Sequence, residues 1–97
     1  MIKLSNKAFY KRHSLEIEKF INNKIVTPGA AGIYLNNCKN IIVANNTFIG
    51  LGTIPDAAGK GDIPAIIQGA TKNVEISNNK VEKSGKYASL TVVKKIK

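Results

Sequence analysis

Apolar and polar positions recur along this chain in three copies of one short pattern. The copies are Phe20-Ile21-Asn22-Asn23-Lys24-Ile25, Val43-Ala44-Asn45-Asn46-Thr47-Phe48 and Ile76-Ser77-Asn78-Asn79-Lys80-Val81. Each reads apolar, any, Asn, Asn, polar, apolar. The steps are 23 residues (22 to 45) and 33 residues (45 to 78). A second pattern interleaves with the first: Ile33-Tyr34-Leu35, Ile66-Ile67-Gln68 and Leu90-Thr91-Val92, with steps of 33 and 24 residues. Recurrence at such periods predicts a solenoid, in which each repeat buries its apolar face only by stacking on its neighbours.

The middle repeat gives the template. Gly32 to Cys38 is a short alternating strand with Ile33 and Leu35 on one face. Lys39-Asn40 makes a corner, because Asn tolerates the left-handed region of backbone space. Ile41 to Ala44 forms a second strand with Ile41 and Val43 inward, Asn45-Asn46 a further corner, and Thr47 to Ile49 a third strand carrying Phe48 inward. Three short strands per turn predict an all-β fold, a right-handed parallel β-helix of about three coils over residues 14–97. Ile33, Leu35, Ile41, Val43, Phe48, Ile66, Val74, Ile76 and Val81 are expected inside. Lys72-Asn73 repeats the corner of Lys39-Asn40, and Thr71 the position of Cys38. Asn22, Asn45 and Asn78 are expected to stack at one corner, their amides hydrogen-bonded along the solenoid.

The first repeat is imperfect, since Glu18 falls where Ile41 and Val74 point inward. A bulge or an incomplete coil would reconcile it. Residues 1–13 show no repeat. They are expected either to cap an open end of the stack with Ile2, Leu4, Ala8, Phe9 and Tyr10 or to form a basic tail.

The run Gly-Ile-Tyr-Leu-Asn-Asn-Cys-Lys-Asn-Ile-Ile-Val-Ala-Asn-Asn-Thr-Phe at 32–48, echoed at 14–26 and 65–82, resembles the pectin-lyase-like superfamily of right-handed parallel β-helix proteins. That resemblance implies polysaccharide lyases, glycosidases, esterases, tailspikes and adhesins as the field of function. It also implies a secreted or cell-surface setting for a longer parent, of which this chain would be a fragment or terminal part.

Composition narrows the picture little. The 97 residues carry a formal charge of +9, spread over many lysines and one arginine, Arg12. Such a charge suits either an anionic partner or plain solubility. Nucleic acid is not expected, because no set of aromatics accompanies the charge. One cysteine, Cys38, gives no internal disulfide and reads as a small buried group. One histidine, His13, leaves a His/Cys metal cluster or a Ser-His-Asp triad without support. No apolar run approaches a bilayer span, and the first residues lack the apolar core of a signal peptide. The compartment is left open by these features. No cofactor is expected.

From Ile25 to Ile33 is 8 residues and from Val81 to Leu90 is 9, whereas from Phe48 to Ile66 is 18. The excess falls in an inserted loop at 49–64, and insertions in solenoids gather on a binding face. Asp56 and Asp62 are candidate acid and base on a glycosidic bond. Lys60, with Lys39 and Lys72 at corners, is a candidate contact for a polysaccharide. Two functions remain: a carbohydrate-active enzyme segment of lyase or glycosidase type, or a non-catalytic solenoid module binding glycans or other subunits. Self-association through the solenoid ends is expected as well, because parallel coils leave unpaired strand edges.

Overall fold

The computed structural model describes residues 2–4 and 18–96. Ten short strands make up the secondary structure there: β1 (Ile2–Leu4), β2 (Glu18–Ile21), β3 (Lys24–Val26), β4 (Ile33–Leu35), β5 (Cys38–Ala44), β6 (Thr47–Ile49), β7 (Ile66–Gln68), β8 (Thr71–Ser77), β9 (Lys80–Glu82) and β10 (Val93–Lys95). They form three parallel sheets in the orders β1-β4-β7-β10, β2-β5-β8 and β3-β6-β9. Below, these are the first, second and third sheets. The chain visits the sheets in turn and then returns one layer on, which is the arrangement of a β-solenoid of about three layers.

The corners explain why the strands are so short. Asn22, Asn45 and Asn78 sit at φ 58, 56 and 54°, and Asn40 and Asn73 at 57 and 53°. Asn is among the few residues that enter the left-handed region at small cost, so Asn22, Asn45 and Asn78 turn the chain from the second sheet to the third, while Asn40 and Asn73 bend β5 and β8 within their own length. The same register carries the core. Phe20, Val43 and Ile76 align across the second sheet, and Ile25, Phe48 and Val81 across the third.

Residues on strands with a neighbour on both sides are the most deeply buried. Ile33, Leu35, Val43, Phe48 and Ile66 have no exposed surface, and Ile41 only 3%. Val74, Ile76 and Val81, expected inside, are half-buried and pack against the core from one side. They lie on β8 and β9, the last strands of their sheets, so no further layer covers them.

Other expectations are corrected. The third member of the second pattern is Val93-Lys94-Lys95, which pairs with Ile66-Ile67-Gln68. Leu90 is instead fully exposed. The first repeat needs no bulge: Glu18 to Ile21 pair with Ile41 to Ala44 residue for residue, and Glu18 is exposed at the layer's outer edge. Ile2–Leu4, read as outside the repeats, pairs with Ile33–Leu35 and adds a strand to the first sheet. The remainder of the segment expected to cap the stack, residues 5–13, lies outside the described residues, as does the 13/14 boundary.

Candidate functional site

The asparagine ladder comes first, because it fixes how the layers sit on each other. The three corner asparagines expected to form it, Asn22, Asn45 and Asn78, are exposed and serve through their backbone. Their following neighbours make the hydrogen bonds. Asn46 is wholly buried. Its Oδ1 accepts from the backbone N–H and the Nδ2 of Asn23, both at 3.0 Å. Its Nδ2 donates to the Phe20 carbonyl at 3.0 Å and to Asn79 Oδ1 at 2.9 Å. The Asn46 N–H also donates to Asn79 Oδ1, at 3.0 Å. Asn79 Nδ2 reaches back to the Val43 carbonyl at 3.0 Å. A second, shorter ladder runs at the other corner, where Asn73 Nδ2 donates to Asn40 Oδ1 at 2.7 Å.

The inserted segment divides into a structural and a projecting part. Leu51, Ile63 and Ala65 are buried in the core. Gly50 N–H donates to the Glu82 carbonyl, and the Leu51 and Gly52 carbonyls accept from Gly85 and Tyr87. Ile63 N–H donates to the Tyr87 carbonyl, and Ser89 N–H donates to that of Ile63. The packing is so close that a Cβ on Gly52 would stand 2.1 Å from the Ala88 nitrogen and one on Gly85 2.5 Å from the Gly52 carbonyl oxygen. The excess length therefore has a role in the fold: residues 50–52 and 63–65 are covered by the 82–89 arc of the next layer. Residues 53–62 are the part that projects.

Asp56 holds the projecting part in shape. Its Oδ1 accepts from Ala58 N–H at 3.1 Å and Lys60 N–H at 2.7 Å, while its own N–H donates to the Lys60 carbonyl at 3.0 Å. This is an Asx-type turn, the local use to which Asp is best suited. Asp62 follows at φ 65° and is exposed.

Beside this projection runs an open groove of about 470 Å³, lined by Asp56, Lys60 and Asp62 on one side and by Tyr34, Ile67 and Lys94 of the first sheet on the other. Tyr34, Ile67 and Lys94 are adjacent members of one outward row that begins at Lys3. The structure thus brings Asp56, Lys60 and Asp62 together. It places Lys39 and Lys72 elsewhere, side by side in register on the second sheet and outside the groove lining.

Sequence reasoning missed Tyr34, Ile67 and Lys94. The signal was present: the alternation that puts Ile33, Leu35 and Ile66 inward puts Tyr34 and Ile67 outward, side by side on adjacent strands. No group of three or more His, Cys, Asp or Glu that could hold a metal occurs among the described residues. No helix among them is long and apolar enough to cross a membrane. Cys38 is buried beside the first corner of the second sheet, and burial, helped by the nearby Glu18 carboxylate, pushes its thiol pKa above the ordinary value.

No protein-family model matches the chain, and no curated protein or solved structure matches it significantly.

Proposed function

We propose that this chain is a right-handed parallel β-helix of pectin-lyase-like type and that its groove holds a polysaccharide. The hand follows from a general rule: a strand that crosses over to a parallel neighbour in the same sheet does so right-handedly in about 98% of cases. Each coil from β4 to β7 is such a crossover.

The observation that carries the binding reading is the groove floor. Tyr34 and Ile67, in register on adjacent strands, give a flat partly apolar strip, while Asp56, Asp62, Lys60 and Lys94 at its margins supply acceptors and donors. A sugar ring has an apolar face and a polar rim, and matches such a strip by stacking on the aromatic while its hydroxyls meet the charged groups.

Within that reading, a non-catalytic module is favoured over a glycosidase. Asp56 Oδ1 is committed to two amides of its own loop, which leaves Asp62 as the one groove carboxylate not bound into that turn. General acid–base cleavage of a glycosidic bond calls for a pair of carboxyl groups free to exchange protons.

The test is calorimetric or array binding to polysaccharides of graded charge. Tyr34→Ala is expected to weaken binding about ten-fold, near 1.4 kcal/mol. Lys60→Ala/Asp62→Ala is expected to weaken it further and to reduce its salt dependence. Lys72→Ala, outside the groove, serves as the control. Equal binding by all four proteins removes the groove from the function. Release of reducing or unsaturated ends from a bound polysaccharide would restore the enzymatic reading.

A further inference from the structure

The ladder has a direction, and the two ends of the stack differ accordingly. At each step an asparagine donates its N–H and an Nδ2 hydrogen to the Oδ1 of the asparagine one layer on, as Asn23 does to Asn46 and Asn46 to Asn79. Among the described residues, Asn23 Oδ1 accepts from nothing and the Asn79 N–H donates to nothing. One end therefore presents an unused acceptor and the other the donors that fit it.

The edges match in other columns. Continuing the register by one layer would set Phe20 of a second copy on Ile76, and Ile25 on Val81, extending the two inward columns. It would also set Lys19 on Glu75, since Lys19, Ile42 and Glu75 share one row. Opposite charges directly across a strand pair are favourable. Lys24 would meet Lys80 in the same way, and that contact opposes the stack.

Strand counts add a constraint. The first sheet has four strands and the other two have three. When the β2 of a second copy lies on β8, its β1 arrives at the position that β10 already occupies over β7. The two strands compete for one slot. β10 is a three-residue strand with exposed Lys94 and Lys95, the kind of short charged edge that blocks pairing.

We infer that the β8–β9 edge is a docking surface for the Phe20-to-Ile25 segment of a second copy of this chain, joined head to tail through Asn79 and Asn23, with β10 acting as the gate. A head-to-tail contact forms a ring only where its rotation closes, and stacking a further layer on the same three sheets adds translation instead, so the product is an open filament rather than a dimer. This inference is independent of the groove and of any saccharide.

A charge exchange between the two ends tests it. Association is measured by sedimentation velocity and light scattering across a concentration series. Glu75→Lys places Lys against Lys19 of the next copy and is expected to lower the association constant roughly three- to ten-fold. The double variant Lys19→Glu/Glu75→Lys restores the pair between copies and is expected to regain the wild-type constant. Removal of residues 93–97 vacates the slot and is expected to strengthen association, far-UV circular dichroism reporting whether the fold persists. A chain lacking residues 93–97 that keeps its fold yet stays monomeric at the highest soluble concentration overturns the inference. So does a double variant that associates no better than Glu75→Lys alone, because ends that do not meet cannot exchange partners.

Discussion

Adjacent asparagines at the same corner should respond to mutation in opposite ways. Asn46 is wholly buried, and its side chain takes part in four hydrogen bonds that tie three layers together. Asn46→Leu keeps the volume and removes all four. The Asn23 N–H and the Phe20 carbonyl then lose these partners in a partly buried corner. Leaving a buried polar group unsatisfied costs about 1–3 kcal/mol, so the pair implies a loss of roughly 2–6 kcal/mol. The whole stability of a chain this size is on the order of 5–15 kcal/mol, which makes that loss a large fraction of it. Asn45 is exposed and contributes a left-handed backbone, at φ 56°. Asn45→Gly should therefore be neutral to within roughly half a kcal/mol, and Asn45→Leu should cost about 1–2 kcal/mol through backbone strain alone.

Urea denaturation followed by far-UV circular dichroism separates these cases, provided the slope of the transition is unchanged. Asn46→Asp adds a signature that simple loss of packing cannot imitate. The carboxylate has no Nδ2 hydrogens, and it would face Asn79 Oδ1 and the Phe20 carbonyl with a negative charge. Its folded pKa would rise above the unfolded value, so the variant gains relative stability below the ordinary carboxylate pKa of about 4 and loses it as pH rises through the folded pKa. An Asn45→Gly loss larger than that of Asn46→Leu would refute the assignment of the ladder to the second asparagine.

The remaining expectations concern close packing, the thiol and the loop. Gly32→Ala would set a Cβ 2.2 Å from Phe48 Cδ1, so it should cost more than about 2 kcal/mol in the same urea assay. Gly50→Ala, with open space but φ 76°, should cost about 1 kcal/mol. Cys38 should react with a thiol reagent only slowly in the native state. Because burial raises its folded pKa above the ordinary thiol value, its contribution to stability is intact below that value and fades as pH rises further. Replacing residues 56–61 by two glycines should leave the unfolding free energy in urea within about 1 kcal/mol of wild type, since shortening a loop changes closure entropy little. The same change should abolish polysaccharide binding in calorimetry.

Much of the fold was legible because a solenoid writes its register into the sequence. The 33-residue step from Asn46 to Asn79 in the chain is also the step between hydrogen-bonded partners in space. The two asparagines of each pair were harder to tell apart, as they are chemically identical and differ only in backbone state. Counting back from the next inward residue would have separated them: Phe48 is inward, Thr47 outward, Asn46 inward, and likewise Val81 to Asn79 and Ile25 to Asn23. The misplacement of the last strand has another cause. Leu90-Thr91-Val92 alternates and Val93-Lys94-Lys95 does not, yet the second forms the strand, because the 83–89 arc first pairs Tyr87 and Ser89 with Gly52 and Ile63. Long-range pairing of that kind leaves no local signal.

The position of the groove follows from comparing the outward rows. On the second sheet, Lys19, Ile42 and Glu75 form a row of mixed charge, and on the third, Lys24, Thr47 and Lys80 a basic one. The first sheet alone among them joins a Tyr to an aliphatic neighbour and ends the row in lysine. That sheet also lies beside the projecting residues 53–62, because the chain must return from the third sheet to the first after β6. Each layer makes the same return, yet the longest is the one whose middle carries a self-closed Asp56 turn. A longer connection between buried anchors at Leu51 and Ile63 changes the stack little while it raises a wall along one row. The fold thus fixes where a groove can form, and the length of this single return decides which row becomes its floor.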